Sequence, residues 1–330
     1  MNHMKKFDIY GIGAALVDTE IEVSDADLEA LNIDKGVMTL VDEQRQQEII
    51  DTLSHHLVAS KKASGGSAAN SIIAAAYFGA KTFYSCRVAN DDNGDFYLSD
   101  LAAADVSVHT DNGSKSGITG KCLVMITPDA ERTMNTFLGI SETISEEDID
   151  IHALKASEFA YIEGYLATSA TGKPAAIKLR ELAQQHQVKT ALSLSDPAIV
   201  QFFRDSLLEM IGDKVEILFC NEHEAINFTQ AENFDEAKEK LKQYGDTFAI
   251  TLGAKGALLF DGKEYINIAP HSVKAIDTNG AGDMFAGAFL YALSQGKSYE
   301  EAGNLASKAA SVVVSQFGPR LRPEQHAELL

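Results

Sequence analysis

From about residue 145 onward the chain alternates between two kinds of segment, and this restricts the fold more than any other feature. Short apolar runs at Phe159–Glu163, Lys189–Leu194, Glu216–Phe219 and Thr247–Thr251 read as strands. Between them lie helical stretches at Pro174–His186 and Ala198–Ile211, then two shorter ones after Phe219. Strands this apolar, without a polar face, are buried on both sides. A strand returning parallel to its predecessor needs a long crossover, and a helix supplies it. Repeated units of this kind predict an α/β fold, a central mostly parallel sheet with helices on both faces. A hairpin over Ala257–Ile268 and helices at about 281–295 and 299–315 complete this half.

The first half follows the same rule only in part. Phe7–Gly13 reads as a strand entering a glycine turn. An alanine-rich helix, Ser67–Phe78, stops at Gly79, and Thr82–Val88 and Asp92–Ala103 continue as strand and helix. Two stretches break the alternation. Val17–Val23 and Val37–Val41 read as short strands, followed by a polar helix over Asp42–Ser54. VSVHT, GITGKCLVMIT and ERTMNTFL, between 106 and 138, read as strands joined by polar turns. The expectation is a large α/β domain from residues 1–16, 43–105 and 139–330, with a small β-sheet lid from 17–42 and 106–138.

Charge narrows the function. Lys plus Arg number 28 and Asp plus Glu 48, a net charge of -20. A surface so acidic is unsuited to a nucleic-acid backbone or an anionic membrane, both of which require basic patches. Cys86, Cys122 and Cys220 have neither disulfide-framework nor zinc spacing. The segment MNHMKKFDIYGIGAALVD contains no apolar core of signal-peptide length. Later apolar runs are interrupted well short of about 18 residues. The expectation is a soluble cytoplasmic protein in a reducing compartment.

Chemistry concentrates in glycine turns. Asp277-Thr278-Asn279-Gly280-Ala281-Gly282-Asp283 runs directly into an apolar helix. The first amides of a helix lack internal partners and carry the positive dipole end, so such a turn suits an anion. Asp283 in the first turn is placed to accept a proton beside that anion, or simply to cap the helix. Ser64-Gly65-Gly66-Ser67-Ala68-Ala69-Asn70 is a second glycine turn entering a helix. Asn70 there is either a ligand or a packing residue bonded to backbone. Asn221-Glu222-His223-Glu224 follows a strand, where α/β sheets place ligands. Glu224 suits Mg²⁺ held through water, or a helix start. Thr251-Leu252-Gly253-Ala254-Lys255-Gly256 is a turn between strands, and Asp18 follows the first strand.

Other readings fail. Gly11-Ile12-Gly13-Ala14-Ala15-Leu16 lacks the third glycine of a dinucleotide fingerprint. No GxxxxGK[ST] or GxSxG occurs.

Together these motifs resemble the PfkB/ribokinase family of ATP-dependent carbohydrate and nucleoside kinases. DTxGAGD is matched at 277–283, the glycine-pair signature at 64–97, NxxE at Asn221 and Glu224, and TLGxxG at 251–256. The resemblance implies the ribokinase-like fold with its β lid. It implies Asp283 as catalytic base, and Gly280, Ala281 and Gly282 as the hole for the γ-phosphoryl group. It implies Asn221 and Glu224 arranging Mg²⁺ and the ATP phosphates. Thr251, Gly253 and Gly256 match the nucleotide turn, with Ser307 near the adenine. Asp18, Gly65, Gly66 and Asn70 match ligands of acceptor hydroxyls. Asp277 matches a site for a monovalent cation, K⁺, used by some members. Arg132 in Glu131-Arg132-Thr133-Met134 is similar to an active-site closing residue of the adenosine-kinase branch, with a solvated lid charge as the other reading. DTNGAGD also looks closest to that branch, whereas Gly13–Leu16 departs from it. The resemblance thus implies a small-molecule acceptor, adenosine-like or a ribose- or hexose-type sugar, and a monomer or homodimer, with a non-catalytic nucleotide-binding member of the fold as the competing class.

Overall fold

Residues 6–55, 61–129 and 131–330 are described by the computed structural model of the chain. The strands are β1 (Phe7–Ile12), β2 (Leu16–Glu22), β3 (Met38–Leu40), β4 (Lys61–Gly65), β5 (Thr82–Ser85), β6 (Val106–Val108) and β7 (Gly120–Ile126). They continue as β8 (Arg132–Phe137), β9 (Ser157–Glu163), β10 (Lys189–Ser193), β11 (Val215–Asn221), β12 (Gly245–Thr251), β13 (Ala257–Phe260) and β14 (Tyr265–Ile268). The helices begin with α1 (Asp25–Ala30), α2 (Glu43–Thr52), α3 (Ser67–Phe78), α4 (Asp92–Ala103), α5 (Ile151–Lys155) and α6 (Gly172–Gln185). They end with α7 (Pro197–Ile211), α8 (Glu222–Thr229), α9 (Phe234–Leu241), α10 (Ala281–Ser294), α11 (Tyr299–Val314) and α12 (Pro323–Ala327).

Nine strands form the large sheet in the order β14-β13-β12-β11-β10-β9-β1-β5-β6. Pairing is parallel from β6 to β12 and antiparallel only across the β12–β13–β14 meander. One apolar core buries α3, α10 and α11 against one face, with Ile72, Phe289 and Ala306 fully enclosed. A second buries α6, α7 and α8 against the other, around Leu179, Leu207 and Phe228. Sequence order reverses at β1, which has β5 on one side and β9 on the other. At such a switch point the flanking connections leave in opposite directions and open a crevice at the strands' C-terminal ends.

Five strands form the small sheet, in the order β3-β8-β7-β2-β4. Its outer face buries Ile21, Leu123 and Met125 beneath α1 and α2 through Leu28 and Ile49. Strand pairing differs from the sequence expectation in two places. Val106–Val108, expected in the lid, pairs in parallel with β5, with Thr82 opposite Val106. It directly follows α4, so it closes one more strand–helix–strand crossover. Lys61–Gly65 becomes an antiparallel edge strand on β2, although Lys-Lys-Ala-Ser-Gly has no apolar alternation to reveal it. The polar helix α2 also lies on the small sheet. Buried Gln46 donates from Nε2 to the carbonyls of Lys121 at 2.9 Å and Asn135 at 3.3 Å. Among the described residues no helix is long and apolar enough to cross a membrane.

Candidate active site

Two helices meet at the crevice because small residues let them approach. A Cβ on Gly287 would lie 2.3 Å from the carbonyl oxygen of Ser71, so only glycine fits there. Farther along, Phe78 stacks on Tyr291 at 5.4 Å. Ser67 touches Asp283, Ser71 touches Gly287 and Phe78 touches Tyr291, so α3 and α10 run in the same direction. Both N-termini therefore end at one place and add their positive dipole ends. Gly66 caps α3 at φ 102°, and Gly280 caps α10 at φ 75°, both in left-handed space that favours glycine.

Asp283 lies between these helix starts. Its Oδ1 accepts from the Ser67 hydroxyl at 2.6 Å, and its Oδ2 accepts from Asn70 Nδ2 at 3.1 Å. Burial pushes the carboxyl up to about 6, and both hydrogen bonds act against that rise. Asn70 Oδ1 is buried and has no hydrogen-bond partner among the described residues. A buried acceptor without a partner, on a residue that lines a cavity, marks a place for a ligand donor.

A cavity of about 450 Å³ opens from here along the C-terminal ends of the large sheet and beneath the small one. Its floor holds four carboxylates, of which Glu163 and Glu224 are buried and Asp18 and Asp283 half-buried. Asp18 on β2 is pushed up to about 7 by burial, opposed most by Arg320. Glu163, ending β9, accepts from the Ala14 amide at 2.7 Å and the Ala68 amide at 2.8 Å. Burial moves it to about 7, and the charge of Asp283 adds to the rise. Glu224 accepts from the Asn221 amide at 2.9 Å and from Asn221 Nδ2 at 2.7 Å, and burial raises it to about 7. The small sheet and its flanking residues supply an apolar wall opposite, with Leu16, Met38, Leu40, Cys122, Met134 and Leu138.

Of the residues singled out from the sequence, the cavity gathers Asp18, Gly66 and Asn70 on the acceptor side. It gathers Asn221, Glu224 and Thr251 on the other, with Gly280, Ala281, Gly282 and Asp283 between. The remainder stand behind the lining. Gly65 lies so close to Asp18 that a Cβ would fall 2.1 Å from Oδ1. Gly253 (φ +57°) and Gly256 (φ +91°) shape the turn, which the Leu252 amide closes on the Gly256 carbonyl at 2.8 Å. Ser307 is buried, with its hydroxyl donating to the Ala269 carbonyl at 3.3 Å.

Asp277 and Arg132 occupy places unlike those expected of them. Asp277 is 3 % exposed, and its Oδ2 accepts from the Gly318 amide at 2.8 Å and pairs with Arg132. The guanidinium thus takes the carboxylate that the resemblance reserves for a monovalent cation, and it faces Asp277 and Glu20 instead of the cavity. A buried carboxylate needs positive charge, and Arg132 supplies it. Sequence reasoning missed Glu163 and the role of Ser67. A carboxylate ending the fully buried strand FAYIE, at a sheet's C-terminal edge, was the available signal for the first.

Comparison with known proteins agrees with this geometry. Residues 34–326 match the pfkB family carbohydrate kinase. A solved structure of a probable sugar kinase from Rhizobium etli is 32% identical, with a TM-score of 0.90 over 99% of this chain and 100% of that one. The adenosine kinase from Sinorhizobium meliloti is also 32% identical, with a TM-score of 0.89 over 98% and 99% of the two chains. A ribokinase of Haemophilus influenzae is 30% identical over 252 residues, 74% of this chain and 79% of its own. The chain belongs to the pfkB family of carbohydrate kinases and is a phosphotransferase that uses an alcohol group as acceptor.

Proposed function

We propose that the cavity binds ATP with Mg²⁺ and transfers the γ-phosphoryl group to the primary hydroxyl of a nucleoside. The observation that carries this reading is the pair of groups on α3 and α10. Asp283 is held by Ser67 and Asn70, while Asn70, which lines the cavity, keeps its buried Oδ1 without a partner among the described residues. Asp283 takes the proton of the acceptor hydroxyl as its oxygen bonds to the γ-phosphorus, and ADP leaves with the cleaved bond. The amides of Gly280, Ala281 and Gly282 at the start of α10 receive the transferring oxygens. A Cβ on Gly282 would meet nothing within 4 Å, which leaves the required space.

Asp18 and Asn70 suit vicinal ring hydroxyls. The apolar wall of Leu16, Met38, Leu40 and Met134 suits a flat heterocycle better than a bare polyol, whose hydroxyls would lose water there without replacement. Thr251 and the Gly253–Gly256 turn lie where the nucleotide of ATP would run. The donor set also fits a hydrated Mg²⁺. Glu224 lines the cavity with both oxygens already bonded to Asn221, an arrangement suited to contact through water. Mg²⁺ would neutralise phosphate charge on an acidic floor.

Initial rates of ADP release with adenosine, other nucleosides, ribose, fructose and 2-keto-3-deoxygluconate test this reading. A nucleoside should turn over fastest. A free sugar faster than every nucleoside would move the assignment to sugar phosphorylation. Tight ATP binding with no acceptor phosphorylated would favour a regulatory protein.

A further inference from the structure

Arg132 belongs to the small sheet, yet its strongest contact lies outside it. From β8 its Nη1 donates to Glu20 Oε1 on β2 at 3.1 Å, and its Nη2 pairs with Asp277. The pair is secluded, with side-chain exposures of 9 % for Arg132 and 2 % for Asp277. Arg132 Nε is buried too, without a partner among the described residues. An exposed pair contributes little, but a pair this secluded fails badly when one member is removed, because a charge is left buried.

Asp277 organises the turn that leads into α10. Its Oδ1 accepts from the Asn279 amide at 3.0 Å, and its Oδ2 accepts from the Gly318 amide at 2.8 Å. Its own amide and that of Ile276 donate to the Val314 carbonyl at 3.1 and 2.7 Å. Gly280, at φ +75°, packs so closely on the 318–320 segment that a Cβ would lie 2.4 Å from the Pro319 carbonyl oxygen. The path from Arg132 to the start of α10 thus runs through one carboxylate. Neither oxygen of that carboxylate lacks a donor.

We infer that Arg132 is a positioning residue that acts through Asp277. It ties the small sheet to the turn over 277–283, so that seating the sheet over the cavity and ordering the phosphate-binding amides are one event. Because the guanidinium supplies the positive charge that Asp277 needs, the turn requires no bound monovalent cation. The kinetic consequences rest on the proposed kinase reading; the ordering of the turn does not.

Hydrogen exchange and kinetics of Arg132→Met test the inference. The double variant R132M/D277N guards against a fold lost to an unpaired buried carboxylate. Amides over 278–283 should exchange at least roughly tenfold faster in both variants, while amides of β10 and β11 keep wild-type protection. In Arg132→Met, kcat should fall about 100-fold with the KM for ATP little changed, the size of effect that losing an aligned donor produces. Added guanidinium should restore much of the loss. Replacing K⁺ and Na⁺ by tetramethylammonium should leave the wild-type rate unchanged. Wild-type exchange of the turn in both variants would overturn the inference, as would a wild-type rate that collapses without K⁺. Exchange is read on the protein alone, so it judges the tie even if no nucleoside is phosphorylated.

Discussion

Ser67 and Asp283 stand 216 residues apart in sequence and share a hydrogen bond of 2.6 Å across the start of two helices. The hydroxyl donates, so the bond favours the ionised carboxylate. Burial favours the neutral acid and outweighs it, leaving Asp283 at about 6. A base in that range is deprotonated near neutral pH while remaining basic enough to accept a proton.

Asp283→Asn should fold and bind ATP, yet lose about 100- to 10,000-fold in kcat, the usual contribution of a general base. The amide is isosteric, and its Oδ1 still accepts from Ser67. Rates of ADP release beside a thermal melt check this, and near wild-type turnover would remove Asp283 from the role of base.

Ser67→Ala should move the acid limb of the pH–rate profile upward. In the wild type, kcat/KM should rise through about pH 6 and level off above it, because only the ionised base works. Removing a donor to the charged form raises the pKa, so half-maximal activity should occur at higher pH. An unmoved or lowered limb would show that the bond does not control the base.

Gly280 and Gly282 should respond differently to alanine. Gly280 has φ +75° and the Pro319 carbonyl 2.4 Å from its Cβ position, so Gly280→Ala should cost about 1–3 kcal/mol in stability. At Gly282 nothing lies within 4 Å, so Gly282→Ala should melt as the wild type does. Its methyl would nevertheless stand in the space assigned to the phosphoryl group, and turnover should fall steeply. Denaturant midpoints and kcat for both variants provide the comparison.

Most of the architecture was legible because buried parallel strands and their crossover helices carry long, periodic signals. The glycine turns were legible too, since Gly66 and Gly280 adopt left-handed backbone that few other residues accept. Short edge strands were harder to read. β4 is recruited by pairing with β2 and has no apolar pattern of its own, while β6 was misplaced because three residues cannot show which sheet they join. At the site, the motifs held Asp283, Asn70 and Glu224 in plain view. Glu163 had no motif, only a position. Arg132 was noticed in sequence, but its partner was not, because pairing across 145 residues is a property of the folded chain.

The ligand-free protein should lose stability as pH rises from about 4.5 to 7. Asp18, Glu163 and Glu224 have folded pKa values raised to about 7, and Asp283 to about 6, from ordinary values near 4. Between those limits the folded state holds protons that the unfolded state has released, so stability falls with rising pH. Glu163→Gln should flatten the slope, as read from melting temperatures across the range. A slope unchanged in that variant would mean that Glu163 titrates normally.

Mg²⁺ should control ATP binding more strongly than the overall charge suggests. Asp18, Glu163, Glu224 and Asp283 all line the cavity proposed to receive the triphosphate, on a chain of net charge -20. Few cations lie in the motifs: Lys255 pairs with Glu222 at 2.8 Å, and Arg132 is committed to Asp277. Backbone amides and two helix starts provide local positive field, but metal-free ATP also brings several negative charges onto a carboxylate floor. Calorimetry should show ATP affinity falling steeply when Mg²⁺ is chelated. Glu224→Gln should raise the Mg²⁺ concentration for half-maximal rate by about 10- to 100-fold, the usual cost of losing a group that holds a metal through its water. ATP affinity indifferent to Mg²⁺, or a Glu224→Gln enzyme saturating with the wild type, would contradict this role. The positive field would then have to come from the protein backbone alone.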